Sequence, residues 1–236
     1  MENEELNLAE MKAKLVVAYE QVRQCADHGI HPGTRRGRQG HLHHHAACGV
    51  GRGESIMSAH AGKKKQAWET PRHIVDVIAA DTFRRTSFAL DAAASAKNYK
   101  ADAFYALPNG NGLRDPWVDA TWCNPPYENQ DEWIARAHWW AKAGVNSALL
   151  VLASTSANYW RPLVWERASV DFYEGRIPFV DEDTGKPMKG NAYASALVLI
   201  GPMFQPGLVR VRDASTGRLL SQLPHAALEL PFTESR

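Results

Sequence analysis

The 236-residue chain predicts an α/β fold built on a mostly parallel, doubly wound sheet, with a helical and disordered extension ahead of it. Three observations carry this. From Thr70 onward, short apolar runs alternate with amphipathic segments at helical spacing, the rhythm of strand–helix–strand units. Two runs, Ala148–Leu152 and Ala194–Ile200, are apolar almost without interruption, as strands covered on both faces are. Ahead of Thr70 that rhythm is missing, and residues 29–66 are too rich in Gly, Arg and His to pack a core.

Taken in order, Leu8, Met11, Leu15, Tyr19 and Val22 recur at helical spacing and predict an amphipathic helix over residues 1–28. Residues 29–66 form a basic linker, with Arg35, Arg36, Arg38, Arg52, Lys63, Lys64 and Lys65 set against the single Glu54. A polyanion is a natural partner for it. The tract His41-Leu42-His43-His44-His45, with Cys48 near, lacks the paired, spaced ligands of a structural zinc site and is read as disordered, with no obligatory metal.

The main domain is expected over residues 67–204. It opens with a helix that has Pro71 in its first turn and runs through Ile74, Val75, Ile78 and Phe83. A short strand follows at Ser87–Leu90 and the next near Val118–Cys123. A helix around Asn129–Ala143 presents Trp133, Ile134, Ala137 and Trp140 on one face, with Gly144 as its C-cap. Ala148–Leu152, Val170–Tyr173 and, after the Lys186–Asn191 loop, Ala194–Ile200 are read as fully buried parallel strands. Residues 205–236 are a tail in which Val209 and Val211 alternate with arginines, as in a small hairpin closed by Ser215-Thr216-Gly217.

A hydrophobic content of 44% suffices for one sizeable core. No apolar run approaches the roughly 20 residues of a spanning helix. The acidic start Met1-Glu2-Asn3-Glu4-Glu5 lacks the basic and apolar regions of a signal peptide, which points to the cytoplasm. Cys25, Cys48 and Cys123 show no Cys-x-x-Cys spacing, as expected in a reducing compartment. The net charge of +1 does not by itself announce a nucleic-acid partner.

The stretch Asp119-Ala120-Thr121-Trp122-Cys123-Asn124-Pro125-Pro126-Tyr127 carries the chemistry. An apolar run stops on an amide, two prolines and an aromatic ring. Pro125-Pro126 cannot continue a sheet and must leave as a rigid extended turn. Asn124 Oδ1 and the Pro125 carbonyl offer two acceptors for the two N–H bonds of an exocyclic amino group, and Tyr127 a ring to cover a planar base.

With Trp68-Glu69-Thr70-Pro71, Phe88 through Ser95, Trp117 through Tyr127, Trp133, Gly175-Arg176-Ile177 with Phe179, and Gly185-Lys186-Pro187 leading to Lys189-Gly190-Asn191, the chain resembles the phage-type DNA N6-adenine methyltransferases, a Dam-like family. The blocks occur in family order over Trp68 to Pro202. Met57-Ser58-Ala59-His60 is similar to the beginning of shorter members, which makes Met57 a candidate start. The resemblance implies a Rossmann-like S-adenosylmethionine-dependent methyltransferase fold, S-adenosylmethionine as cofactor and double-stranded DNA as partner, and leaves the oligomeric state open. Asn124, Pro125, Pro126 and Tyr127 would be catalytic, acting on a flipped adenine. Thr70, Pro71, Asp91, Ala92, Ala93, Asp102 and Asn124 would serve the cofactor, and Arg176, Lys186, Lys189 and Asn191 the DNA backbone.

One departure from many methyltransferases is the absence of glycine after Asp91, where Ala92-Ala93-Ala94-Ser95 stands instead. Several residues keep a second role open: Thr70 and Asp91 as helix N-caps, Tyr127 in turn packing, Phe104-Tyr105 rather than Asp102 against the cofactor, and Ser154-Thr155 as a cap or a ligand contact. The competing functions are methylation of another amino or amide group, in RNA adenine, cytosine N4 or protein glutamine, and an inert nucleic-acid-binding module.

Overall fold

The computed structural model describes residues 68–188 and 193–222. Residues 1–67, with the expected amphipathic helix, basic linker and His41–Cys48 tract, lie outside the described residues, as do Lys189 and Asn191. The elements are β1 (Trp68–Glu69), α1 (Arg72–Phe83), β2 (Phe88–Asp91), β3 (Ala101–Phe104), β4 (Thr121–Cys123), α2 (Gln130–Ala141), β5 (Ser147–Leu152), α3 (Trp160–Leu163), β6 (Ser169–Glu174), β7 (Val180–Asp181), β8 (Ser195–Ile200), β9 (Val209–Asp213) and β10 (Leu219–Gln222), with a 3₁₀ turn at Tyr127–Asn129. No helix among them is long and apolar enough to cross a membrane.

One eight-stranded sheet has the order β10-β9-β6-β8-β5-β4-β2-β3, and β1 pairs with β7 separately. Half of the large sheet is parallel as expected: β3, β2, β4 and β5 run the same way. In the other half β6 and β9 pair parallel and keep that direction, while β8 lies antiparallel to both β5 and β6 and β10 antiparallel to β9; the sheet is mixed, with two strands reversed against six, and the expectation of a parallel strand at Ala194–Ile200 is corrected. The described part of the β6–β8 connection holds β7 and no helix. Without a helical crossover, the chain comes back beside β6 in the opposite direction.

β3 was not foreseen. Ala101-Asp102-Ala103-Phe104 has weak strand propensity, and it forms as the sheet's outer strand by parallel pairing with β2. β4 is shorter than the Val118–Cys123 run because Ala120 takes a left-handed φ of 60°, which interrupts the extended backbone ahead of Thr121.

Both faces of the sheet are covered, and strand alternation decides which side chain goes where. In β5, Ala148 and Leu150 join α1 residues Ile74, Ile78 and Phe83. Leu149 and Val151 join Trp133, Ile134 and Trp140 of α2 and Trp160 of α3. β8 divides likewise, Leu197 and Leu199 to the first cluster, Ala196 and Val198 to the second. This explains why both runs read as apolar throughout.

The C-terminal hairpin extends the same sheet. β9 pairs parallel with β6, and its turn is closed by Asp213, whose Oδ1 accepts from the backbone and hydroxyls of Ser215 and Thr216. Those donors hold the Asp213 carboxyl down at about 2. Two arginines of β9 bind the buried Asp171 of β6: Arg210 through Nε at 2.6 Å and Nη2 at 2.9 Å, Arg212 through Nε at 2.5 Å. Arg212, itself buried, also reaches Asp81 of α1, so strand and helix are tied through one guanidinium.

Candidate active site at the carboxyl edge of the parallel strands

Asp91 ends β2 and Asn124 follows β4. The register pairs Asp91 with Trp122, so both residues emerge from the same edge of the sheet. In an open α/β sheet this is where ligands sit.

Asp91 is 3% exposed. Its Oδ1 accepts from the Ala93 amide at 3.2 Å and its Oδ2 from the Lys100 amide at 2.9 Å. Burial pushes its carboxyl up to about 6, against the pull of those two N–H groups and of the Lys100 and Arg72 charges. A turn follows β2 where the N-cap alternative required a helix, so the carboxylate organises a loop. Lys100 is buried as well, and its ammonium is bound by Glu69. The same lysine thus ties the Asp91 loop to β1.

Beside Asp91 lies a cavity of about 130 Å³ lined by Ala92, Ala93 and Ala94, by Gly110 and Gly112, and by Pro126 and Trp133. Glycine does enter the site, from residues 110 and 112 and not from the segment after Asp91. At Gly112 a Cβ would collide with the Ala92 carbonyl and the Trp133 ring. The close approach of two backbones at this point demands glycine. The legible signal was the turn-rich run Pro108-Asn109-Gly110-Asn111-Gly112. Gly112→Ala should lower stability by about 1–3 kcal/mol through overpacking, read from chemical denaturation; an unchanged midpoint would contradict the packing described.

Asn124 is half-buried and donates from Nδ2 to Thr70 Oγ1 at 3.3 Å. Thr70 is 1% exposed, and the residue capping α1 is Pro71, with φ −55° and ψ 133°, which has no side-chain donor or acceptor to offer the helix. Tyr127 opens the 3₁₀ turn, its ring edge-on to Trp68 at 6.2 Å, and Trp68 leans on Phe179 at 5.8 Å. Burial, and secondarily the neighbouring Tyr193, push the Tyr127 hydroxyl up to about 12. Burial, and next Asp91, raise the Cys123 thiol well above its usual range. A thiol so held is no nucleophile at neutral pH.

Asp102 is not brought to this edge. It lies within β3 near its start, exposed, and accepts from Ser87 Oγ at 2.6 Å. The residue at the carboxyl end of that strand is Phe104, stacked on Tyr99 at 4.5 Å. Arg176 is exposed just past the end of β6, after Gly175 at φ 88°, and Lys186 is exposed in the turn after β7. Trp68, Lys100, Gly110 and Gly112 complete the neighbourhood without having been chosen from sequence as site residues. Among the described residues no group of three or more His, Cys, Asp or Glu side chains could hold a metal ion.

The family model described as DNA N-6-adenine-methyltransferase (Dam) matches residues 57–216. The chain belongs to this family. Among curated relatives, it is 26% identical over 153 residues to the DNA N-6-adenine-methyltransferase of Escherichia phage T1, covering 58% of this chain and 63% of that protein. It is 28% identical over 149 residues to the protein of the same name from Haemophilus phage HP1 (strain HP1c1), covering 62% of this chain and 84% of that one. The chain therefore spans slightly less than two thirds of the phage T1 relative. No solved structure matches. The Dam-family match takes in every described element of the carboxyl edge, from Trp68 through Lys186.

Proposed function

We propose that the chain transfers a methyl group from S-adenosylmethionine to N6 of an adenine flipped out of double-stranded DNA. The observation that carries this is the shared edge: the Asn124-Pro125-Pro126-Tyr127 turn leaves the sheet one strand away from Asp91 and the small-residue cavity beside it. Membership of the Dam family supports the same activity.

The residues fit the cofactor. A buried carboxylate next to a cradle of alanines and glycines suits an amino-acid ammonium, with Asp91, Ala92 and Ala93 against it and Gly110 and Gly112 allowing close approach. When bound, the cofactor supplies an electrophilic methyl on a sulfonium. The rest falls to the chain. Adenine N6 is a weak nucleophile because its lone pair is delocalised into the ring. Asn124 Oδ1 and the Pro125 carbonyl accept its two N–H bonds and draw it toward tetrahedral geometry, while Tyr127 covers the base. Tyr127 stays protonated and Asn124 is neutral, so neither acts as a base, and the proton that N6 must shed on alkylation, acidic once the nitrogen carries the positive charge, passes to solvent. The contribution is orientation and electrostatics. Arg176 and Lys186, with Lys189 and Asn191, would meet phosphates.

The test is transfer of labelled methyl from S-adenosylmethionine to unmethylated DNA, followed by nucleoside digestion and mass spectrometry. N6-methyladenine is the expected product. A different methylated base would retain the chemistry and change the substrate; binding without transfer to DNA would overturn the substrate class.

Asp91 gives this function a pH signature. Its folded pKa lies above the ordinary carboxylate value, so ionising it opposes folding: stability contributed by the protonated form is present at low pH and is lost as pH rises through about 6. A bound ammonium favours the ionised form. Cofactor affinity should therefore rise as pH increases from 5 and level off above about 6, with one proton released below that point, up to about tenfold per pH unit. Calorimetry in buffers of different ionisation enthalpy reads this directly. In Asp91→Asn the slope should vanish, and a slope that persists would place the ammonium elsewhere.

A further inference from the structure

We infer that Thr70 is a positioning residue for the proposed amino-group transfer, holding the Asn124 amide with its nitrogen turned inward so that Oδ1 is the end presented to substrate. This rests on the transfer function proposed above and extends it to a residue that touches neither base nor methyl group.

An asparagine amide has two chemically opposite ends of nearly the same shape. Only one orientation works here. With Oδ1 outward it accepts from an amino group; turned by 180° it would set an NH₂ donor against an NH₂ donor. The substrate amino group, which can only donate, selects Oδ1 outward, and a neighbour that accepts from Nδ2 holds the amide in that place. In the structure Nδ2 faces Thr70 Oγ1 at 3.3 Å, and Thr70 is 1% exposed, beyond the reach of competing water.

Thr70 is itself held. Glu69, the residue before it, binds the buried ammonium of Lys100, and β1 pairs with β7 at Glu69 and Val180. The next residue is Pro71, whose ring fixes φ at −55°. Among the described residues, the Thr70 hydroxyl is bonded to the Asn124 amide. Lys100 also donates its backbone N–H to Asp91. The cofactor-side carboxylate and the acceptor-side amide are thus set by one short segment, residues 68–72, through Lys100 on one side and Thr70 on the other.

The test compares Thr70→Val, which keeps shape and removes the hydroxyl, with Thr70→Ser, which keeps the hydroxyl. In Thr70→Val, kcat for DNA methylation should fall by about tenfold or more, the loss expected when a reacting group is misoriented, with KM for cofactor and the melting temperature little changed. Thr70→Ser should recover kcat to within about threefold of the wild type. A near wild-type kcat in Thr70→Val would overturn the inference. So would an equal loss in both variants together with a lowered melting temperature, which marks a packing role, or a raised cofactor KM at constant kcat, which marks a direct cofactor contact.

A readout free of activity separates this inference from the function it rests on. The ¹⁵N side-chain amide signal of Asn124, assigned by its loss in Asn124→Asp, should shift in Thr70→Val and stay in place in Thr70→Ser. If that pattern appears while the wild type methylates no DNA, the function fails and the positioning stands. An unmoved signal in Thr70→Val overturns the positioning whatever the substrate.

Discussion

Asn124→Ala should reduce kcat by about 100-fold to 1,000-fold while cofactor affinity and melting temperature stay close to wild type, because it deletes one of the two acceptors aimed at the amino group. The magnitude is that of losing one preorganised polar partner of a developing charge, about 2.7–4 kcal/mol of barrier. Stability should hold because the Asn124 side chain is only half-buried and its single described partner is Thr70. The removed side chain is small and solvent can enter in its place, so the Thr70 hydroxyl need not be stranded. Single-turnover methylation with saturating cofactor isolates the step, and calorimetry on the same protein supplies the affinity. A variant with near wild-type turnover would remove Asn124 from the mechanism. One that loses cofactor binding instead would move the amide from the base side to the cofactor side of the edge.

The second large effect concerns stability. Asp171→Ala should cost about 3–5 kcal/mol, because it leaves Arg210 without its carboxylate and takes one of two carboxylates from the buried Arg212, which keeps Asp81. Asp171 is fully buried and takes three charge-assisted bonds, two from Arg210 and one from Arg212, and Arg212 is fully buried beside it. Against a total stability of about 5–15 kcal/mol for a domain, such a loss approaches unfolding. The exposed i,i+4 pair of Arg72 and Asp76 on α1 is the contrast: Asp76→Ala should change stability by no more than about 0.5 kcal/mol. Urea denaturation of both variants makes the comparison. Equal, small effects would mean that the β9 arginines find other partners and that the hairpin is not anchored through Asp171.

Much of this was legible along the chain. The α1 and α2 faces could be read because helical burial repeats every three to four residues, and Ile74, Val75, Ile78 and Phe83, like Trp133, Ile134, Ala137 and Trp140, are the buried residues observed. The Asn124–Tyr127 turn could be read because proline enforces its geometry whatever surrounds it. Asp91 was found at the end of its strand as expected, though its carboxylate serves a turn where a helix cap was the alternative. β3 was missed, since Ala101 and Asp102 have little strand preference of their own and the strand exists through its partner β2. Asp102 was misplaced for the same reason: without β3, its position at the wrong end of a strand could not be seen.

The sequence by itself determined the two main helices α1 and α2 and the strands β2, β4, β5, β6 and β8, which side chains of those helices face inward, and that an amide, two prolines and a tyrosine stand together. These are local properties, written in spacings of two to four residues and in the fixed φ of proline. Only the tertiary structure decided that β8 enters antiparallel between β5 and β6, that Arg212 is buried against Asp171 and Asp81, that Gly110 and Gly112 meet Ala92–Ala94 across a cavity, and that Thr70 reaches Asn124. Each of these joins residues separated by tens of positions. Such pairs leave no periodic trace in the chain and are chosen by which arrangement buries the apolar faces while still giving most buried polar groups a partner.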